Sequence, residues 1–205
     1  MRDPFREGLA AGWKHVDASQ LAVDLPIEAD VVIIGSGAGG GVTAEILTAN
    51  GLKVVIVEEG PLRTSSDFKM REAEAYPDLY QESAARKTAD KSINILQGRC
   101  VGGSTTVNWT SSFRTPPRTL QWWQSAWGLK RLGVDAMAPW FAAMEQRLHV
   151  GLWPIPPNEN NAALARGAAQ LGIPVAVIPR NVKMCWNLGY CGMGCPTNAK
   201  QSMLL

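Results

Sequence analysis

Apolar and polar positions divide the 205-residue chain into patterned stretches separated by glycine and proline. The sharpest lies near the start. Residues 31–34 are a β-branched run, too short for a helix and closed at once by Gly35, and they predict a strand. Beyond a glycine turn, Val42, Ile46 and Ala49 fall on one face of a helix that stops at Asn50-Gly51. Residues 53–57 predict a second buried strand ending at Glu58. Residues 68–90 are charged and alanine-rich and predict an amphipathic helix interrupted at Pro77, with a short extended run over 92–96. After Pro116-Pro117, two aromatic stripes recur at near-helical spacing, Trp122, Trp123 and Trp127, then Met137, Trp140, Phe141 and Met144. Such stripes predict core packing. A helix over 158–171, stopped at Gly172, and a strand over 174–178 follow a proline-rich linker. Residues 1–28 read as a polar, partly helical lead-in, packed on the body through Trp13 and Leu21. The pattern divides into a lead-in (1–28), a βαβ domain with a second loop (29–150), and the beginning of a further segment (151–205).

Chemistry enters at the first turn. Gly35, Gly37 and Gly40 stand in the G-x-G-x-x-G spacing that opens a dinucleotide-binding βαβ unit. The first glycine permits the tight turn, the second lets backbone approach a pyrophosphate, and the third lets helix pack closely on strand. Gly35, Gly37, Ala38, Gly39 and Gly40 are therefore candidate cofactor-binding residues, with the helix N-terminus as the anion site. Glu58 arrives eighteen residues after Gly40, placed to accept hydrogen bonds from a ribose diol. It suits a free 2′-hydroxyl, as in FAD or NAD, and repels the 2′-phosphate of NADP. A lone glycine triplet is equally an ordinary tight loop; here strand, triplet, helix, strand and acid agree in order and spacing.

Composition narrows the class little further. With 46% hydrophobic and 19% charged residues the chain is an ordinary globular sequence. A net charge of +2 without a basic run points to no nucleic-acid partner. No window reaches the ~20 apolar residues of a membrane span, and the start lacks a secretory pattern, so a cytoplasmic location is expected. Four cysteines, three of them near the end, read as reduced thiols or a metal site rather than a disulfide framework.

The second informative stretch is residues 97–114, QGRCVGGSTTVNWTSSFR. Gly102 and Gly103 followed by Ser104, Thr105 and Thr106 form a donor-rich loop that can cradle a phosphate or a flavin edge. The plainer alternative is a polar turn between strands.

Together these residues resemble the glucose–methanol–choline (GMC) oxidoreductases. The resemblance rests on Val57-Glu58-Glu59-Gly60-Pro61, on Gly98-Arg99-Cys100-Val101-Gly102-Gly103-Ser104-Thr105-Thr106-Val107-Asn108, and on the order and separation of the two motifs. It is strong over residues 29–115 and general elsewhere. It implies an α/β fold: a Rossmann-like FAD-binding domain, incomplete here, with the start of a substrate domain. It implies an FAD-dependent oxidoreductase acting on the CH–OH group of a small-molecule alcohol or sugar alcohol. In that resemblance the glycine turn holds the pyrophosphate, Glu58 the adenosine ribose, and the loop from Gly102 to Asn108 the flavin side, with Ser104 and Asn108 as contacts. Where some members attach FAD through a histidine this chain has Val107, so non-covalent FAD is expected. The family's catalytic histidine has no match: only His15 and His149 occur, neither in a matching context. The chain thus reads as an N-terminal fragment with no catalytic residue, inactive alone. Its residues do not select among oxygen, quinone and a cytochrome as electron acceptor.

Cys185, Cys191 and Cys195 crowd a glycine-rich loop ending Cys195-Pro196. Three thiolates without a nearby histidine would suit a [3Fe–4S] cluster better than zinc, but packed, reduced thiols are the favoured reading, with no iron or sulfide expected. The competing functional classes are an NAD-dependent dehydrogenase, against which the 98–108 loop speaks, and a non-catalytic nucleotide-binding or Fe–S electron-transfer remnant.

Overall fold

The structure is a computed structural model that describes residues 2–205. The chain packs as two compact units, residues 2–109 with 184–205, and residues 110–183.

The first unit opens with helix α1 (Pro4–Ala10), started by Asp3, whose carboxylate accepts from the Arg6 N–H. Trp13 stacks edge-on against Phe5, with ring centroids 5.6 Å apart, and lies over Gly8. Both Trp13 and Leu21 are exposed, so the lead-in is anchored through Asp3 instead. That carboxylate accepts from Thr64 Oγ1 at 2.6 Å and from Ser66 N and Oγ at 3.0 and 2.7 Å.

Strand β1 (Val31–Ile34), helix α2 (Ala38–Ala49) and strand β2 (Val54–Val57) form the βαβ unit that the pattern predicts. The strands pair in parallel, Val31 with Val54 through Ile34 with Val57. Two details differ from expectation. The partly covered side of α2 includes Gly40, Ala44 and Leu47, whereas Ile46 and Ala49 are exposed. The stripe turns because Gly40 brings the helix onto the first strand: a Cβ there would lie 1.9 Å from the Gly35 carbonyl oxygen. The strands are not fully buried either; Ile34 is 90% exposed and Val32, Ile56 and Val57 are exposed with it. A parallel strand apolar on both faces calls for cover on both, and α2 covers one.

Helix α3 (Glu72–Leu79) runs through Pro77 and ends at Tyr80, where the backbone becomes extended. The expected continuation to residue 90 fails at Glu82 and Ser83, whose φ values of 51° and 53° are not helical. Residues 92–96 form no strand, only an isolated bridge from Asn94 to Lys87. One helical turn, α4 (Ser104–Val107), follows the Gly102-Gly103 pair. The core of this unit gathers Phe68, Leu79, Tyr80, Cys100, Val107, Met193 and Leu204, so residues 191–205 pack directly under the 100–107 loop.

The second unit contains α5 (Pro117–Trp127), α6 (Val134–Arg147), β3 (Val150–Leu152), α7 (Glu159–Gln170) and β4 (Pro179–Asn181). Strands β3 and β4 pair antiparallel, and residues 174–178 are irregular, so the expected strand starts at Pro179 instead. The tryptophan stripe is not core here: Trp122, Trp127 and Trp140 are 55%, 66% and 65% exposed, and Leu120 is the side chain α5 buries. Arg114 pairs with Glu145 at 2.6 Å, and Arg180 stacks on Trp153 at 4.4 Å. Among the described residues no helix is long and apolar enough to cross a membrane.

Candidate functional site

Three sequence-distant pieces converge at the start of α2. The turn Gly35–Gly37 carries a positive φ of 89° at Gly35, a conformation that costs glycine little and other residues more. Gly37 caps α2 without any side-chain hydrogen bond. The first N–H groups of the helix therefore face the space before the turn, with the positive end of the helix dipole behind them.

That space is open on the glycine side. A Cβ at Gly37 or Gly39 would meet nothing within 4 Å, in contrast to Gly40, where backbone leaves no room. Helix propensity favours alanine over glycine at an exposed helical position by ~1 kcal/mol. Local packing thus explains Gly40 but not Gly39. Ala38 and Gly39 are exposed on the first turn of α2.

The second piece is the end of β2. Glu58 does not stand free: its Oε2 accepts from Ser36 N at 2.8 Å and Ser36 Oγ at 2.6 Å, and its Oε1 accepts from Gly60 N at 2.9 Å. Partial burial works to raise the carboxyl's pKa, but the hydrogen bonds from Ser36, Gly60 and Glu59 outweigh it and hold the group below its ordinary value. A carboxylate offers about four acceptor positions, and the Ser36, Gly60 and Glu59 donors draw on them.

The third piece is the 98–108 loop. Gly102 N donates to Ser36 Oγ at 2.9 Å, and a Cβ at Gly103 would lie 3.0 Å from Gly37 Cα. Gly102 and Gly103 have φ values of 86° and 53°. Ser104 Oγ accepts from Gly98 N at 2.9 Å, and Asn108 N donates to the Ser104 carbonyl at 2.9 Å to close α4. Ser104 and Asn108 are exposed at its two ends. The loop is tied to the strand end by Val101 N on the Pro61 carbonyl at 3.1 Å. Arg99 also reaches Glu59 at 3.4 Å, an exposed pair of small energetic weight.

Ser36 is the residue the sequence reading missed. It is buried, and its hydroxyl connects all three pieces: it accepts from the loop and donates to the acid, while its own N–H also reaches that acid. Its one sequence signal is its place as the small polar residue between the first two glycines. Lys200 and Tyr80 were also passed over, because nothing in local spacing shows what backbone they meet.

The cysteines fall outside this junction in two ways. Cys100 is fully buried inside the loop, and burial pushes its thiol up to about 12. Cys185, Cys191 and Cys195 are partly buried and unbonded to one another. Among the described residues no three His, Cys, Asp or Glu side chains are grouped to hold a metal ion, so the cluster reading of that trio has no site. The trio is close in sequence, but the turns of the loop do not bring its sulfurs together.

A parallel βαβ unit with a glycine turn at the helix start and an acid after the second strand defines an α/β protein of Rossmann-like class. A family model described as GMC oxidoreductase matches residues 76–205. The chain belongs to that family, in its N-terminal portion, and the match reaches well past residue 115 to include the cysteine loop. The chain is 34% identical over 177 residues to a long-chain-alcohol oxidase (FAO4A) of Arabidopsis thaliana, covering 86% of this chain and 24% of that protein. It is 35% identical over 211 residues to an uncharacterized GMC-type oxidoreductase of Mycobacterium tuberculosis, covering 97% of this chain and 34% of that one. The chain therefore spans about a quarter of the first relative's length and about a third of the second's. Of solved structures, pyridoxine 4-oxidase from Mesorbium loti is 28% identical and covers 55% of this chain and 23% of its own, with a TM-score of 0.44.

Proposed function

We propose that this chain is the FAD-binding, N-terminal portion of an enzyme that oxidises the CH–OH group of a small-molecule alcohol. In this reading Gly35, Gly37, Ala38, Gly39 and Gly40 hold the pyrophosphate at the start of α2. Glu58 accepts from the adenosine ribose, and Gly102, Gly103, Ser104 and Asn108 lie along the flavin side. The observation that carries the reading is the junction at Ser36, which ties the glycine turn, the acid and the 98–108 loop into one hydrogen-bonded surface. A polar turn placed elsewhere would have no reason to dock there.

The residues fit the group. A Cβ at Gly37 or Gly39 would meet no protein atom within 4 Å, and Glu58 is ionised at neutral pH beside that turn. The same charge opposes a 2′-phosphate. Bound there, FAD would supply the hydride acceptor that an alcohol dehydrogenation needs. The work of this chain is to bind and orient. Val107 is buried and carries no nucleophile, which supports non-covalent binding. His15 and His149 are both exposed, and neither is assigned the proton-accepting role. The exposed apolar faces of β1 and β2 agree with a second covering layer supplied by the rest of the enzyme. The alcohol class to test first is the long-chain alcohol named for the plant relatives.

The test is equilibrium binding of FAD, NAD and NADP to the purified 205-residue chain, followed by acid precipitation. Flavin binding with all flavin released into the supernatant is expected. Saturable NAD or NADP binding without FAD binding, or no nucleotide binding at all, would sink the reading.

A further inference from the structure

The cysteine-rich loop carries one more function. We infer that residues 184–200 brace the backbone of the cofactor loop, with Lys200 and Tyr80 as its positioning residues; the inference rests on the cofactor reading of that loop. Lys200 is 3% exposed, and its Nζ donates to the carbonyls of Thr106 at 2.6 Å, Asn108 at 2.9 Å and Cys191 at 2.5 Å. An ammonium has three N–H donors, and three carbonyls take them here. Burying such a charge is costly unless charge-assisted bonds offset it, and this arrangement supplies them from main chain on two separate segments.

Tyr80 repeats the device one residue over. Its buried hydroxyl has a single proton, donated to the Gly192 carbonyl at 2.5 Å, with the Val107 carbonyl as second acceptor at 3.2 Å. The carbonyls of Thr106 and Asn108 are thus held by a buried donor that also grips residue 191, and the Val107 carbonyl shares the Tyr80 proton with Gly192. Glycine makes the approach possible: a Cβ at Gly192 would lie 2.8 Å from the Trp109 ring, and one at Gly194 would lie 2.2 Å from Phe68. Cys195 has its own place in the brace. Its sulfur accepts from Lys200 N at 3.5 Å and meets Thr197 Oγ1 at 3.4 Å, closing the turn that aims Lys200. Burial works to raise that thiol's pKa, but these donors bring it below its ordinary value. The loop therefore has a role that needs no metal: it sets the backbone whose ends present Ser104 and Asn108.

The test compares the full chain with Lys200→Met and Tyr80→Phe by amide hydrogen exchange without cofactor, then by FAD titration. In Lys200→Met the amides of residues 104–109 should exchange at least ~10-fold faster while those of β1 and β2 are unchanged. FAD should bind roughly 10-fold more weakly, with an altered visible flavin spectrum. Tyr80→Phe, which removes one hydroxyl, should move the same amides by a smaller factor, and it decides the matter if Lys200→Met does not fold. Exchange unchanged at 104–109, or faster throughout the first unit, would overturn the brace. Local loosening with FAD affinity and spectrum unchanged would overturn its link to the cofactor. If the parent chain binds no FAD, the functional reading falls, and the exchange comparison still decides the brace.

Discussion

Replacing Ser36 with alanine removes the hydroxyl at which three segments meet. Two bonds are lost: the donation to Glu58 at 2.6 Å and the acceptance from Gly102 N at 2.9 Å. Stranding a buried N–H costs about 1–3 kcal/mol, and a bond to a charged acceptor contributes about 1.5–3 kcal/mol. Glu58 keeps Ser36 N and Gly60 N as donors, so the second loss sits at the low end, and Ser36→Ala should destabilise the chain by about 2–4 kcal/mol. With a urea m value of about 2 kcal/mol/M for a chain of this size, the far-UV CD midpoint should fall by about 1–2 M. The acid limb must also move. Glu58 is held below its ordinary value, so its contribution is complete above the unfolded pKa of about 4.3 and is lost as pH falls through the folded value. Removing one depressing bond raises that folded value, so acid unfolding should begin at higher pH. A midpoint shift below about 0.3 M in urea with an unchanged acid limb would refute the claim that Ser36 joins the three pieces.

The glycines of α2 make a paired test. Gly40→Ala places a Cβ 1.9 Å from backbone and should destabilise by about 3 kcal/mol, whereas Gly39→Ala meets nothing and should stabilise slightly while weakening FAD binding; urea titration and flavin titration separate the two. Asp3→Ala removes the acceptor of Thr64, Ser66 and Arg6 and should cost about 2–4 kcal/mol, read as faster hydrogen exchange and proteolysis of α1. Burial alone would raise the pKa of Asp3, but those hydrogen bonds hold it far below the usual carboxylate range. The anchor should therefore persist from neutral pH down past the unfolded value of about 4 and release only in stronger acid, a step that Asp3→Ala lacks. Cys100, buried and pushed up to about 12, should resist a disulfide reagent at about pH 8 until the chain unfolds.

Elements set by neighbouring residues were readable in advance. The βαβ unit, the bounds of α7 and the glycine turn all follow from short-range periodicity and breakers, which act within a few residues. Failures came where distant packing decides. The stripe on α2 turned because Gly40 lets Gly35 and Ile33 approach, and the stretch 68–90 broke at a run of positive-φ residues from Glu82 to Ala84 that composition does not mark. Trp122, Trp127 and Trp140, set at helical spacing, proved exposed, since periodicity shows that residues share a face but not that anything covers it.

By itself, then, the sequence determined the nucleotide-type turn, the acid eighteen residues beyond it, the family resemblance and the identity of a second loop. Each rests on residue type and spacing along the chain. Only the tertiary structure decided that these pieces are one surface. Ser36 is a short side chain whose two partners lie 22 and 66 residues away, and Lys200 holds carbonyls 94 and 92 residues before it. Main-chain carbonyls are alike in every residue, so a side chain that grips them leaves no pattern to read until the fold brings them together.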